Sequence, residues 1–181
     1  MNEIETRIVK IDVAKIKKIL QENNAVKVKE ENQINNIYDF EDGRLLAAKG
    51  YARIRTVDDL INNKQIIYMT TKKLLSQDTF RVMDENEIIV SDRKAAENIF
   101  NTLGLKLRES ISRYRESYEL FNCLIEIDIN DTDFCPFPYI EIETNSKQDL
   151  EKVVTLLGYT LEDTTSKTMY ELIDDYKRGL L

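Results

Sequence analysis

Residues 111–130 read ISRYRESYELFNCLIEIDIN. Successive side chains of an extended strand point to opposite faces. The first half of this stretch therefore sets Arg113 and Arg115 on one face, and the second half sets Glu126 and Asp128 opposite Ile125 and Ile127. Each segment carries charge of one sign along one face, and the sign changes from the first segment to the second.

The same sorting extends in both directions along the chain. In YIEIET (139–144), Glu141 and Glu143 lie opposite Ile140 and Ile142; in YARIRT (51–56), Arg53 and Arg55 lie opposite Ala52 and Ile54. Thr70 aligns with Lys72 in YMTTKK (68–73), Arg81, Met83, Glu85 and Glu87 align in RVMDENEIIV (81–90), and Glu3, Glu5 and Arg7 align in NEIETRIVKI (2–11). A half-solvated strand of an ordinary antiparallel sheet accounts for any one of these segments. It accounts poorly for all of them, because a solvated face usually mixes both signs and like charges on neighbouring strands repel. Turning the charged faces inward in a barrel or tunnel resolves the conflict. Carboxylates then take divalent cations, guanidinium and ammonium groups take phosphate, and the ligand neutralises both rows. The planar fork of arginine suits phosphate oxygens in particular.

Helical periodicity supplies what would cover the apolar outer faces. Asp12 caps a predicted helix through Val13, Ile16, Ile19 and Leu20 to Asn24. Asp92 precedes Ala96, Ile99, Phe100 and Leu103 before Gly104, and Ser146 precedes Leu150, Val153, Val154 and Leu157 before Gly158. These two segments, residues 90–107 and 143–161, align with each other as strand, helix, strand, which predicts a pseudo-symmetric architecture. A last amphipathic helix is predicted over 166–177, with Met169, Tyr170, Ile173 and Tyr176 on one face. Residues 58–64 and the proline-broken 130–138 read as loops.

Composition narrows the chemistry. The 181 residues, 42% hydrophobic with two prolines, suit one compact domain. With no histidine, serine–histidine and cysteine–histidine nucleophiles and histidine-bound zinc are excluded. Any metal must rest on carboxylates, which favour magnesium, manganese or calcium. Cys123 and Cys135 are too few for a disulfide framework or a thiolate site. A net charge of −7 and a pI near 4.9 argue against an extended nucleic-acid surface or an acidic membrane surface. Without a signal peptide or an apolar run of about 18 residues, the expected location is the cytoplasm, with no membrane partner.

Several segments resemble the CYTH, or triphosphate tunnel, superfamily, which includes class IV adenylate cyclases, thiamine triphosphatases and inorganic triphosphatases. Glu3-Ile4-Glu5-Thr6-Arg7 resembles its ExExK signature, ARIR (52–55) its LRIR strand, MTTK (69–72) its LTYK strand and RYRESY (113–118) its KxRxxY strand. Asp128 is similar to its late aspartate, and YIEIE (139–143) to its closing FxEIE. The order is the family's and spans nearly the whole chain. The resemblance implies one domain over 1–181 of α+β class: a closed or nearly closed eight-stranded antiparallel β tunnel with amphipathic helices packed outside. It implies that Glu3, Glu5, Glu141 and Glu143 are the main metal ligands, supported by Asp128 and by Glu85 or Glu87, with Mg2+ or Mn2+ as the cofactor. It implies that Arg7, Arg53, Arg55, Lys72, Arg113 and Arg115 bind the phosphates of a small-molecule triphosphate. Arg81 and Glu126 are expected at the tunnel rim or in solvent.

Three departures separate hydrolysis from cyclisation. Arg7 stands where the signature has lysine, and arginine, always protonated, retains phosphate binding without serving as a base. The histidine-containing segment of some bacterial cyclases is missing, and CPFPY (135–139) replaces LGxF before the last acidic pair. Triphosphate hydrolysis is therefore the expected activity. Cyclisation of ATP to cyclic AMP is the alternative, with the closing TMYELI (168–173) on the cyclase-like side, and a non-catalytic nucleotide or polyphosphate sensor is the third reading. The substrate, the preferred metal and the oligomeric state, a homodimer included, are not specified by the residues.

Overall fold

A computed structural model of the chain describes residues 4–77 and 81–181, apart from the side chains of Ile4, Gln77 and Arg81. Eight strands form one antiparallel sheet: β1 (Ile4–Val9), β2 (Val26–Asp39), β3 (Tyr51–Asp59), β4 (Lys64–Gln77), β5 (Arg81–Val90), β6 (Lys106–Leu120), β7 (Cys123–Asn130) and β8 (Tyr139–Thr144). Their order is β1-β5-β4-β3-β2-β6-β7-β8, and β8 returns to β1 through six paired residues, from Ile4↔Thr144 to Val9↔Tyr139. Among the described residues, β1 meets β5 at the pair Glu5↔Arg81. The α+β class and the curled antiparallel tunnel are as the sequence predicts.

The strands turn their apolar faces outward, as the alternation requires. Ile8, Ile125, Ile127, Ile140 and Ile142 pack under α1 (Val13–Glu22) and α4 (Lys147–Leu156), together with Ile16, Leu20, Leu150, Val153 and Leu157. Tyr38, Ala52 and Ile54 meet Ala96 and Phe100 of α3 (Arg93–Thr102). Each fully buried side chain of this kind contributes about 1.5–3 kcal/mol, whereas buried ion pairs come out near neutral against apolar replacements. The layer outside the barrel therefore holds the fold, which leaves the interior free to be charged.

The three predicted caps all form: Asp12, Asp92 and Ser146 accept from the backbone N–H of Lys15, Ala95 and Asp149. After α3 and α4 the chain leaves the helix through Gly104 and Gly158, at φ +88° and +87°, a region open to glycine without strain. The internal similarity breaks at this point. The chain after α3 enters β6, but the chain after α4 makes a 3-10 turn, Leu161–Asp163, closed by reciprocal bonds between Thr160 and Asp163, and then meets β1 at the isolated bridge Arg7↔Thr165, where Thr6 and Arg7 also donate to the Thr165 and Lys167 carbonyls. The strand expected in the second copy is thus absent, because the Thr160–Asp163 capping box curls the chain where 105–107 extend.

Two elements lay outside the sequence reading. The strand β2 is mostly polar, and register shifts at Lys27/Lys29 and Ile37/Tyr38 break its alternation. The short helix α2 (Arg44–Ala47) is held from outside by Asp39, whose carboxylate accepts from the N–H groups of Leu45 and Leu46 at 3.0 and 2.9 Å. Next to it Gly50 brings β3 so close to β4 that a Cβ there would lie 2.6 Å from the Lys72 carbonyl oxygen. The helix α5 (Met169–Lys177), capped by Thr168 and Glu171, begins three residues later than predicted and buries Leu172 and Ile173 against Cys135, Phe137 and Tyr139.

On the outer face of β6, Glu116 is 2% exposed and accepts from Lys17 and Tyr114, both at 2.7 Å, from Lys27 at 3.1 Å and from Tyr118. Burial alone would raise its carboxyl, but these four donors hold it down at about 2. A carboxylate depressed in the folded state stabilises the protein fully above its ordinary value of 4.5, and that stability is lost as pH falls toward 2. Glu116→Gln is expected to cost about 2–4 kcal/mol at pH 7 and to flatten the acid limb of stability between pH 5 and 3. Urea midpoints at those pH values check it, and an unchanged acid limb would contradict the assignment.

Candidate functional site

The inward faces divide the tunnel into two arcs. Strands β7, β8, β1 and β5 are adjacent and carry Glu126 and Asp128, Glu141 and Glu143, Glu5 and Arg7, and Glu85 and Glu87. Strands β4, β3, β2 and β6 complete the ring with Lys72, Arg53 and Arg55, Gln33 and Asn35, and Arg113 and Arg115. An acidic arc thus faces a basic one across a cavity of about 700 Å³. Glu5, Arg7, Arg53, Arg115, Glu126, Asp128 and Glu141 are all buried, and buried charges require partners.

The partners lie both within and between the arcs. Arg7 donates to both Glu5 and Glu141 and, at 3.1 Å, to the Lys167 carbonyl. Asp128 accepts from Arg115 at 2.6 Å and from Arg113 at 3.1 Å, while Arg115 also reaches Glu126 and, at 3.2 Å, Glu141. Where the arcs join at β5 and β4, Glu87 accepts from Thr70 at 2.6 Å, Arg55 at 3.1 Å and Arg53 at 3.3 Å, and Lys72 pairs with Glu85 at 2.7 Å.

These pairings leave the two rows unevenly compensated. Burial works against the Glu141 carboxylate, but Arg7, Glu5 and Arg115 hold it well below the usual range. Glu143 goes the other way: burial, together with Glu141, Glu126 and Glu5, pushes it up to about 8. Among the bases, Arg55 is pulled down to about 10 by burial and then by Arg53, with Arg113 and Arg115 adding to it. Buried Nε–H groups of Arg7, Arg53 and Arg55 have no hydrogen-bond partner among the described residues. The tunnel thus holds Glu143 crowded by other carboxylates, and on both arcs it holds arginine Nε–H donors without a partner among the described residues.

The sequence-predicted residues fall into three groups. Glu5, Glu141 and Glu143 come together, and Glu126 joins them: oxygens of Glu126, Glu141 and Glu143 lie within 4.8 Å of one another. The rim or solvent position expected of Glu126 is corrected by its 2% exposure; it shares the inward face with Asp128, and the alternation of CLIEIDI already carried that signal. Asp128 sits among arginines, between Arg113 and Arg115. Glu85 and Glu87, at the β5 end of the acidic arc, pair with Lys72, Arg53 and Arg55 instead. Glu3 and the Arg81 side chain lie outside the described residues. Sequence reasoning missed Asn35, Tyr51 and Tyr139, which line the same cavity. Tyr51 and Tyr139 stand two residues before Arg53 and Glu141 on the same strand faces, so their positions were implicit in the period of two.

The donor set fits a hard divalent cation. Glu126, Glu141 and Glu143 each place a carboxylate oxygen within 4.8 Å of the others, and such hard oxygen ligands suit magnesium, manganese or calcium.

The fold is thus an antiparallel β tunnel with acidic and basic side chains on its inward faces. The sequence profile of the CYTH domain matches residues 1–169, and the chain belongs to the CYTH domain family. Among solved structures, the PH1819 protein of Pyrococcus horikoshii OT3 has a TM-score of 0.76 at 21% identity, over 96% of this chain and 99% of that one. A Vibrio parahaemolyticus protein with a provisional adenylate cyclase assignment has a TM-score of 0.72 at 12% identity, over 96% and 98%. HpAC1 from Hippeastrum, provisionally an adenylyl cyclase and described as revealing a dominant triphosphatase activity, has a TM-score of 0.67 at 16% identity, over 100% and 97%. At these identities the likeness is one of fold. No curated protein sequence matches the chain. No helix among the described residues is long and apolar enough to cross a membrane.

Proposed function

We propose that the protein is a divalent-metal-dependent hydrolase of a triphosphate substrate bound inside the tunnel. The observation that carries this reading is the opposition of the Glu126–Glu141–Glu143 cluster to Arg53, Arg55 and Arg113 across one cavity. In this reading Glu141 and Glu143, with Glu5 and Glu126, would hold Mg2+ or Mn2+, which when bound would supply positive charge to offset that of the phosphates. Arg53 and Arg55 lose Glu87 as their partner and take phosphate oxygens instead, each gaining a charge-assisted bond with its free Nε–H. Lys72 and Arg113 extend the grip along the chain. Water attacks the terminal phosphorus, the bond to the bridging oxygen breaks, and diphosphate, or the corresponding diphosphate ester, leaves. The residues contribute position and charge stabilisation.

Cyclisation is the second reading, and it requires a proton to leave a ribose hydroxyl. Arg7 supports hydrolysis instead: it is committed to Glu5, Glu141 and the Lys167 carbonyl, and its guanidinium is raised further from deprotonation, burial being outweighed by Glu141 and Glu5. The test is product analysis with Mg2+ or Mn2+. Phosphate release from tripolyphosphate or ATP supports the proposal. Cyclic AMP with diphosphate from ATP overturns it in favour of the cyclase, and tight metal-dependent binding without turnover overturns it in favour of a sensor.

A further inference from the structure

We propose that Glu87 is a built-in competitor for the arginines of β3: its carboxylate occupies them in the empty tunnel, handicaps every phosphate ligand alike, and so lets short phosphates go. This rests on the hydrolase reading for the identity of the ligand. Arg53, Thr70 and Glu87 stand in one line across β3, β4 and β5. The Thr70 hydroxyl, in the middle, donates to Glu87 at 2.6 Å and aims its carboxylate at the arginines. Arg55 then donates to both carboxylate oxygens, at 3.2 and 3.1 Å, and Arg53 to one of them at 3.3 Å. A single carboxylate thus takes the terminal nitrogens that phosphate oxygens would take.

The carboxylates that hold the tunnel's arginines differ in whether they can leave. The Asp128 side chain, which holds Arg113 and Arg115, is 0% exposed, so a carboxylate released there would have no water to receive it. The Glu87 side chain is 25% exposed, and water receives its charge once the arginines let go. Exchange of a carboxylate for phosphate is therefore confined to the β3 arginines, while the pairs around Asp128 are permanent.

Swapping Glu87 for a phosphate oxygen trades one charge-assisted bond for another and gains little. A ligand gains only from contacts that Glu87 does not already make: the unpartnered Nε–H groups of Arg53 and Arg55, and Lys72 and Arg113 along the same cavity. A chain of three phosphates spans several of these at once, whereas orthophosphate or diphosphate spans fewer. The state with Glu87 seated cannot bind phosphate at this point, and every apparent affinity is reduced by the fraction of time it is seated. That handicap leaves a triphosphate bound and the fragments of its cleavage free to depart, as Glu87 pairs again with Arg53 and Arg55 behind them.

Glu87→Gln keeps the size of the side chain and an acceptor for Thr70 while removing the charge. Titration calorimetry on the full chain, with and without magnesium, compares diphosphate and tripolyphosphate, and phosphate release is measured in parallel. Both ligands are expected to bind the variant about 10–100-fold more tightly than the parent. Inhibition by diphosphate should strengthen accordingly, and kcat and KM should fall together as product release slows. Glu87→Asp, which keeps the charge on a shorter arm, should lie between the two. Diphosphate binding that is unchanged or weaker in Glu87→Gln overturns the competitor. Weaker tripolyphosphate binding with a higher magnesium requirement overturns it in favour of a metal ligand. Failure of the hydrolase reading is distinct: no phosphate is released, yet the tightening in Glu87→Gln persists.

Discussion

Glu141→Gln is expected to reduce phosphate release by at least about 10²–10³-fold while the barrel stays folded. Glutamine keeps the size of the side chain and removes its charge, so the effect isolates electrostatics. Glu141 is where the two halves of the acidic arc meet: it accepts from Arg7 and Arg115 and shares the carboxylate cluster with Glu126 and Glu143. Both arginines keep other anchors, Arg7 on Glu5 and the Lys167 carbonyl, Arg115 on Asp128 and Glu126. The loss of stability should therefore stay near 1–3 kcal/mol. A second signature is in the pH dependence. Glu143 titrates at about 8 in the fold, above its ordinary 4.5, so its contribution to stability is full below about 4.5 and declines as pH rises through 8. Removing the Glu141 charge lowers that value, and the metal-free variant should lose less stability than the parent between pH 6 and 9. Melting curves and phosphate-release rates at matched metal concentrations check both. Full activity with unchanged metal dependence would remove Glu141 from the metal-binding set.

What made the tunnel legible was the sign of its charges strand by strand. RYRES, IEIDI and YIEIE each set like charges on one face, an arrangement that solvent does not favour and an interior with opposed arcs does. The helices were legible because cap and apolar stripe coincide at Asp12, Asp92 and Ser146, with a glycine after the last two. Two kinds of feature resisted. Bulges interrupt the period of two in β2, and α2 depends on Asp39, five residues upstream, so neither leaves a local pattern. The rest concerns which inward residues meet, because that depends on register. Glu85 and Glu87 share their sign with Glu141 but stand beside the arginines of β3, and Glu126 meets Glu141 because β7 and β8 pair them directly. The sheet order, which period alone does not contain, sets those neighbours.

Replacing Arg53 and Arg55 together by glutamine is expected to abolish triphosphate binding without loss of stability. Each arginine that grips phosphate through a charge-assisted bond contributes about 1.5–3 kcal/mol, so the pair accounts for roughly 10²–10⁴-fold in affinity. The folded protein without ligand bears the opposite balance. Burial and then the neighbouring Arg53 pull Arg55 down to about 10, and a base depressed in the fold destabilises the charged form at every lower pH. Against that relief stands Glu87, which loses Arg53 at 3.3 Å and Arg55 at 3.1 Å but keeps Thr70 at 2.6 Å and remains a quarter exposed, at 25%. Because Glu87 still reaches water and a hydroxyl donor, relief of repulsion between the arginines is expected to match or exceed its loss. The melting temperature of the variant should lie at or above that of the parent. Tripolyphosphate, which should raise the parent's melting point according to its saturation, should leave the variant's unmoved. A structural barrel with no ligand would share the first result, so the second decides: a variant still stabilised by tripolyphosphate would show that the paired arginines face a role other than phosphate.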